Sequence, residues 1–325
     1  MASTLFRSLG TAVAAVCLFG PLAAAAQDFP TRPIRVVVTS SPGSTGDTTI
    51  RILAPALEKA LGQAVVVENV PGSGGIAGTE KVVRAAKDGY TLGLISNNHA
   101  INPHIYKSVP FDSAKDIAPI SVIGSTPVVL VTYPGVAARS TQELVALAKA
   151  KPGVLNYGSA GNGTVLHLAG VLFTSEAGVD VTHVPYKGVA QMTADLLGGQ
   201  IEMGFAGVAT VAPQIKAGKL RGIAVSTQVR SAVLPDVPTL AESGLPNYRF
   251  EGWLALVGPA GLPKAVVDRI HGAVKSALAQ KEVQEALKAQ GVIVEGSTPE
   301  VAQQFIDSEM NKHSQLVKRS GAKME

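Results

Sequence analysis

The sequence predicts an α/β protein of two lobes, each lobe a mostly parallel sheet flanked by helices, with a cleft between the lobes. Three observations carry this. Apolar runs of strand length alternate with segments whose apolar residues recur every three or four positions. The strand-like runs pass into those segments through loops of Gly, Ser and Thr. Two long extended stretches, 119–133 and 248–263, are apolar and punctuated by Gly and Pro, as strands crossing between lobes would be.

The strand-like runs are "IRVVVTS" (34–40), "AVVVEN" (64–69), "YTLGLIS" (90–96), "VVLVTY" (128–133), "IEMGFAG" (201–207) and "LRGIAVS" (220–226). Between them, Ile50, Leu53, Ala54, Leu57 and Leu61 share one helical face, as do Val82, Val83 and Ala86, and later Leu168, Val171 and Leu172. From Pro263 onward the pattern is helical, with Val266, Val267, Ile270 and Val274 in one segment. A last helix starts after Thr298, a suitable N-cap, with Pro299 in its first turn. The crossings divide the chain into lobe one, 27–127 plus 250–325, and lobe two, 128–249.

Residues 1–26 read as an export signal: Arg7, an apolar stretch from Leu9 to Phe19, a break at Pro21, and small residues at Ala24 and Ala26. The mature chain is expected to begin at Gln27 and to be periplasmic. The single cysteine, Cys17, lies inside that signal, so no disulfide is expected in the mature protein, and Val16 before it argues against lipid attachment. Nothing later is long and apolar enough to span a bilayer. The chain carries 28 Lys and Arg against 24 Asp and Glu. They are dispersed, and aromatics make up only 5% of residues, which argues against a nucleic-acid surface.

The chemistry sits in the loops. In a parallel sheet every strand's carboxyl end reaches one edge, where the following helix offers unpaired N–H groups and the positive end of its dipole. After the first strand, Thr39, Ser40, Ser41, Ser44, Thr45, Thr48 and Thr49 add hydroxyls, Gly43 and Gly46 let a guest approach the backbone, and Asp47 is a natural cap. The construction recurs at 68–80 with Gly74, at 96–102 with Asn98 and His99, and at 156–170 with Ser159, Ala160, Gly161, Asn162, Gly163 and Thr164. A fifth wall is "VPYKGV" (184–189), with Tyr186 and Lys187. Such loops suit a small anion, yet each one alone is also ordinary punctuation of an α/β chain.

Enzyme signatures are weaker. "PGSTGDTT" lacks the lysine of a phosphate-binding loop, and "GSGGIA" (72–77) follows Pro71 with no acidic residue closing the next strand. Gly158-Ser159-Ala160-Gly161 is one residue short of a nucleophile elbow, as is Gly43-Ser44-Thr45-Gly46. The histidines, among them His104, His183, His271 and His313, have no metal-site spacing, and packing is the expected role of His167. Neither a catalytic residue nor a metal or cofactor is assigned. An esterase using Ser159 or Ser44 stays open as a rival.

The motifs, taken together, resemble one family. They are Thr31-Arg32-Pro33-Ile34-Arg35, Pro42-Gly43 with Asp47, "VVENVPGSGGIAGTEKVVRAAKDGYTL" (66–92), "HAINPHIY" (99–106), "LNYGSAGNGTVLHLAGVLF" (155–173), "VPYKG" (184–188) and "DLLGGQIEMGF" (195–205). The chain is similar throughout to the exported solute-binding receptors of tripartite tricarboxylate transporters, the Bug receptors. That resemblance implies a hinge-closing, two-lobed fold of the periplasmic-binding-protein type, without catalysis, handing a small carboxylate to membrane permease subunits, with the receptor expected as a monomer. It places one ligand carboxylate against Ser41, Ser44, Thr45 and Gly46 on one side and residues 159–164 on the other. The sequence departs from the family at Ser40, where relatives often carry Phe, at Ser44, where a second Gly is common, and at Val70, where Arg is common. No particular acid follows from it, and a signalling receptor fits the same motifs.

Overall fold

A computed structural model describes residues 29–323; the expected signal, Cys17 and Gln27 lie outside the described residues. The elements run β1 (Ile34–Val38), α1 (Thr45–Leu61), β2 (Val65–Asn69), a 3-10 turn (Ser73–Gly75), α2 (Ile76–Val83), β3 (Thr91–Ser96), α3 (Asn97–Ile105), β4 (Ile117–Thr132), α4 (Thr141–Ala150), β5 (Asn156–Ser159) and α5 (Val165–Ala177). The chain continues with β6 (Thr182–Pro185), α6 (Val189–Leu197), β7 (Met203–Gly207), α7 (Val208–Lys216), β8 (Arg221–Val225), β9 (Glu251–Pro259), α8 (Lys264–Leu278), α9 (Lys281–Ala289), β10 (Ile293–Val294) and α10 (Pro299–Ser320). Among the described residues no helix is long and apolar enough to cross a membrane.

The expected faces are buried: Ile50, Leu53, Leu57 and Leu61 of α1, and Leu168, Val171 and Leu172 of α5. Ala86 is an exception, lying beyond α2 and exposed. Thr298 caps α10 as expected, its hydroxyl accepting the Val301 N–H at 3.4 Å.

The strands form one path, β2-β1-β3-β9-β4-β7-β5-β6, with β8 and β10 also on β4. Parallel pairing holds for β1 with β2 and β3, and for β5 with β6 and β7. The crossing strands differ from the expectation of a mostly parallel sheet. Both β4 and β9 are antiparallel to each other and to their other partners, because the chain leaves one half of the sheet along β4 and must return along β9. The sheet is therefore mixed. Sixteen residues long, β4 pairs with β9 from Ile117 to Pro127 and with β7 from Val128 to Thr132.

This register fixes how the two halves meet. Strand β4 runs in the same direction as β1 and β3, whereas β7 and β5 run against it. The carboxyl ends of the two parallel sets therefore point towards each other. Ser96, the last residue of β3, is level through Leu254 with Gly124, and Gly207, the last of β7, is level with Val128. The two edges are about 13 Å apart along β4, at about 3.3 Å per strand residue.

Three apolar clusters form the core. One gathers β5, β7, β8 and α5 with the lower half of β4, and recruits Ile101 and Ile105 of α3 and Leu316 and Val317 of α10. The other two bury β1, β3 and β9 beneath α1, α2, α8 and α10. Helices α3 and α10 thus belong to both halves. The Asn97 side chain completes the junction, donating to Glu251 O at 2.9 Å and accepting the Trp253 N–H at 2.8 Å, as a neighbouring strand would.

Candidate functional site

The loop after β1 is ordered by its own polar side chains. Ser44, not Asp47, is the N-cap of α1: its backbone is extended (φ −69°, ψ 162°) and its hydroxyl accepts the Asp47 N–H at 3.3 Å. Asp47 stands three residues on and reaches back, its carboxylate accepting the Gly43 N–H at 2.9 Å and the Arg51 Nε at 2.8 Å. This is a capping box extended by one residue. Burial raises the Asp47 pKa, but the Gly43 amide, Asn69 and Arg51 outweigh it and hold the carboxyl below its ordinary value. Ser40 joins the cap through its hydroxyl, 2.7 Å from that of Ser44, and its carbonyl accepts from Asn69 at 3.1 Å.

The loop after β5 repeats the device. Thr164 is the N-cap of α5 (φ −72°, ψ 160°), and its hydroxyl accepts the His167 N–H at 3.4 Å. His167 reaches back as Asp47 does, and Nδ1 accepts the Gly163 N–H at 2.9 Å. The preceding glycines, Gly43 and Gly163, have φ of +77° and +71°, a conformation that favours glycine. The sequence reading missed this shared spacing, although "GSTGD" and "GTVLH" display it as glycine, hydroxyl residue, two positions, acceptor. In each helix the box satisfies the third-residue amide and that of the glycine before the cap, the cap amide donates to a loop carbonyl, Ser41 O or Gly161 O, and the first two helical amides, Thr45 and Gly46 in α1 and Val165 and Leu166 in α5, have no intrahelical acceptor.

Other expected residues fall into two groups. Those with open polar surface are Ser41 and Thr45, Gly74 in the 3-10 turn, the half-buried Asn98 in the first turn of α3, and Asn162. The loops of lobe one are drawn together, since Asn69 holds Ser40, Asn102 donates to Gly74 O at 3.0 Å, and a Cβ on Gly75 would lie 3.1 Å from Thr39. Helix α3 then links them to lobe two: a Cβ on Gly163 would lie 3.0 Å from Ile105 Cδ1.

The second group is committed inside the fold. His99 is buried with Nε2 2.7 Å from Ser113 O, against Phe111, and burial depresses its pKa. Tyr186 donates to Asp195 at 2.8 Å, and burial, then Asp195, push its hydroxyl up to about 12. Its backbone N–H bonds Ser159 O at 3.0 Å, which keeps the 186 loop beside 159–164. The Thr39 hydroxyl donates to Leu94 O, and Thr49 is fully buried, so neither adds a donor to the open edge. The missing side chain of Gly46 faces inward too: a Cβ there would meet Ser40 Oγ at 3.3 Å and Leu254 at 3.5 Å. Its amide has no intrahelical acceptor, but the residue is buried and its Cα side is core, so bulk at 46 crowds packing.

Ser159 is fully buried, with Oγ 2.7 Å from His183 Nε2 and accepting the Gly161 N–H at 3.1 Å. His183 stacks on His167 with ring centroids 3.9 Å apart and 8° between planes, and Tyr157 stacks against both. Burial drives both histidines down to about 4, with His183 adding to the effect on His167. Both rings are uncharged near neutral pH. Neither loop, 39–46 or 159–164, contains a lysine or arginine, so the donors at the facing edges are amides and hydroxyls.

Residues 49–322 match the family model described as "Tripartite tricarboxylate transporter family receptor". Protein BugT of Bordetella pertussis is 34% identical over 322 residues, covering 98% of each chain. A solved R. palustris protein with adipate is 30% identical with a TM-score of 0.77, covering 91% of this chain and 100% of its own. MatC from Rhodopseudomonas palustris, solved with bound malate, is 29% identical with a TM-score of 0.73, covering 89% of this chain and 100% of its own. With the family model spanning most of the sequence, and this fold matched across whole chains, the protein belongs to the receptor family of the tripartite tricarboxylate transporters.

Proposed function

We propose that this protein is a periplasmic solute receptor that captures a small organic dicarboxylate between two lobes, 27–127 plus 250–325 and 128–249, and delivers it to a tripartite membrane permease. The signal is cleaved near Ala26, and the receptor works as a monomer without catalysis. One observation carries the reading: two capped helix starts, each with two amides that have no intrahelical acceptor, follow strand edges that point at each other. An anion touching both sides binds the closed form better than the open form, which is what drives hinge closure. Preoriented amides also avoid the desolvation cost of a buried arginine or lysine, so capture is compatible with release. Two relatives solved with adipate and with malate support the dicarboxylate class.

The test is calorimetric titration and thermal unfolding with a panel of mono-, di- and tricarboxylates that includes adipate and malate. Ligand at about 100 times Kd should add about 2.7 kcal/mol and raise Tm by several degrees. A panel without any shift would remove the carboxylate assignment.

The contact between Ser159 and His183 favours a second reading, an exported serine hydrolase. Against it, Ser159 is fully buried, and a histidine held near 4 is a poor general base at neutral pH. Turnover of generic esters that vanishes in Ser159→Ala would establish that reading.

A further inference from the structure

We infer that His167 is the positioning residue of the lobe-two ligand loop, holding it from behind in a form that presents the Val165 and Leu166 amides. The inference rests on the function proposed above and concerns how that site is kept in shape.

Loop 159–164 is tied within itself at Gly161, whose carbonyl accepts from the Ser159 and Thr164 hydroxyls and the Thr164 N–H, and its two ends are held from outside by a pair of histidines. At its first end, Ser159 Oγ accepts the Gly161 N–H and meets His183 Nε2 at 2.7 Å. At its second end, Gly163 donates to His167 Nδ1 at 2.9 Å. The two histidines are 16 positions apart in sequence, one on α5 and one on β6, yet their rings lie face to face. One stacked pair therefore fastens both ends of one loop.

The two fastenings differ in kind. The Ser159 hydroxyl both donates and accepts, so it tolerates either form of His183. The Gly163 amide only donates, so His167 must keep a bare lone pair on Nδ1 and carry its one ring hydrogen on Nε2. A protonated ring has no acceptor and releases Gly163. The surroundings oppose protonation. His183 faces His167 from β6 and Tyr157 from β5, while Arg319 and Lys323 at the end of α10 border the same cavity of about 470 Å³. Among the described residues no carboxylate lines that cavity. Released, Gly163 would lose the 2.9 Å bond that supports its left-handed conformation, directly before the Thr164 cap.

The test reads the loop directly and the guest separately. In the 15N-labelled wild-type protein at neutral pH, the His167 ring should titrate as the Nε2–H tautomer and show a scalar coupling across the hydrogen bond between Gly163 N and His167 Nδ1. In His167→Phe, which keeps a flat ring but has no acceptor, Gly163 exchange should rise about tenfold, the worth of one ordinary hydrogen bond, and affinity for adipate or malate should fall about as much. In His167→Asn, whose Oδ1 takes the place of Nδ1, both should stay near wild type. Absence of the coupling overturns the inference whether or not the Phe variant folds. So does unchanged Gly163 protection in His167→Phe, or an affinity loss in His167→Asn equal to that of His167→Phe at matched Tm. If the wild type binds no acid of the panel, the function proposed above fails by itself, and coupling and exchange still decide the role of His167 in the loop.

Discussion

Asp47 and His167 occupy the same station in the loops after β1 and β5, each three residues past a hydroxyl N-cap and each accepting the N–H of a left-handed glycine at 2.9 Å. One acceptor is a carboxylate neutralised by Arg51, and the other is an uncharged imidazole. Both shape a helix start without placing a net charge of either sign at the loop, so the positive end of the helix dipole is left uncompensated there.

The caps should be measurable separately. Ser44→Ala removes the acceptor for the Asp47 amide and the partner of Ser40, and should cost about 1 kcal/mol. Urea denaturation checks this, and a shift of the midpoint indistinguishable from zero would show that Ser44 does not cap α1.

The two left-handed glycines should respond unequally to alanine. A Cβ on Gly43 meets nothing within 4 Å, so Gly43→Ala bears only the backbone penalty of about 1–2 kcal/mol. At Gly163 the same change also drives a methyl to 3.0 Å from Ile105, and α3 must yield. Gly163→Ala should therefore be the more destabilising of the pair, and calorimetric unfolding of both variants side by side decides the order.

Asn97 ties β9 to the start of α3. It is almost wholly buried, and Asn97→Ala strands the Glu251 carbonyl and the Trp253 amide, a loss of about 1–3 kcal/mol per unsatisfied group. Equilibrium unfolding should register it, together with faster amide exchange at Trp253. Unchanged exchange there would mean that another group replaces the side chain.

Acid should weaken the fold before its carboxylates titrate. His167, His183 and His313 are each held near 4 in the folded protein, against 6.5 for a free histidine, chiefly by burial. The unfolded chain therefore takes up more protons between these values, and stability, complete above pH 6.5, falls as the pH drops towards 4. Asp47 acts lower on the scale: its depressed pKa gives stability that is lost only as it protonates, below the ordinary carboxylate value. Urea midpoints at pH 7, 5.5 and 4.5 should decline in that order; a flat series would show that these histidines titrate normally.

Much of this protein is written locally. Helix α1 follows from Ile50, Leu53, Leu57 and Leu61, the start of α10 from Thr298 and Pro299, and the two crossing strands from their length and apolar run, because period and capping are properties of neighbouring residues. Strands β5 and β6, four residues each, are too short to show a period, and their loops were legible mainly through glycine and hydroxyl content. The folded chain alone decided three things: that β4 and β9 run antiparallel and so turn the two strand edges to face each other, that His99, Thr39 and the Cα of Gly46 look inward, and that His183 lies on His167. These depend on register and packing between segments 16 to more than 100 residues apart. A local pattern constrains which face of an element is apolar, but only the closing of the core selects which polar side chain is left to meet which loop.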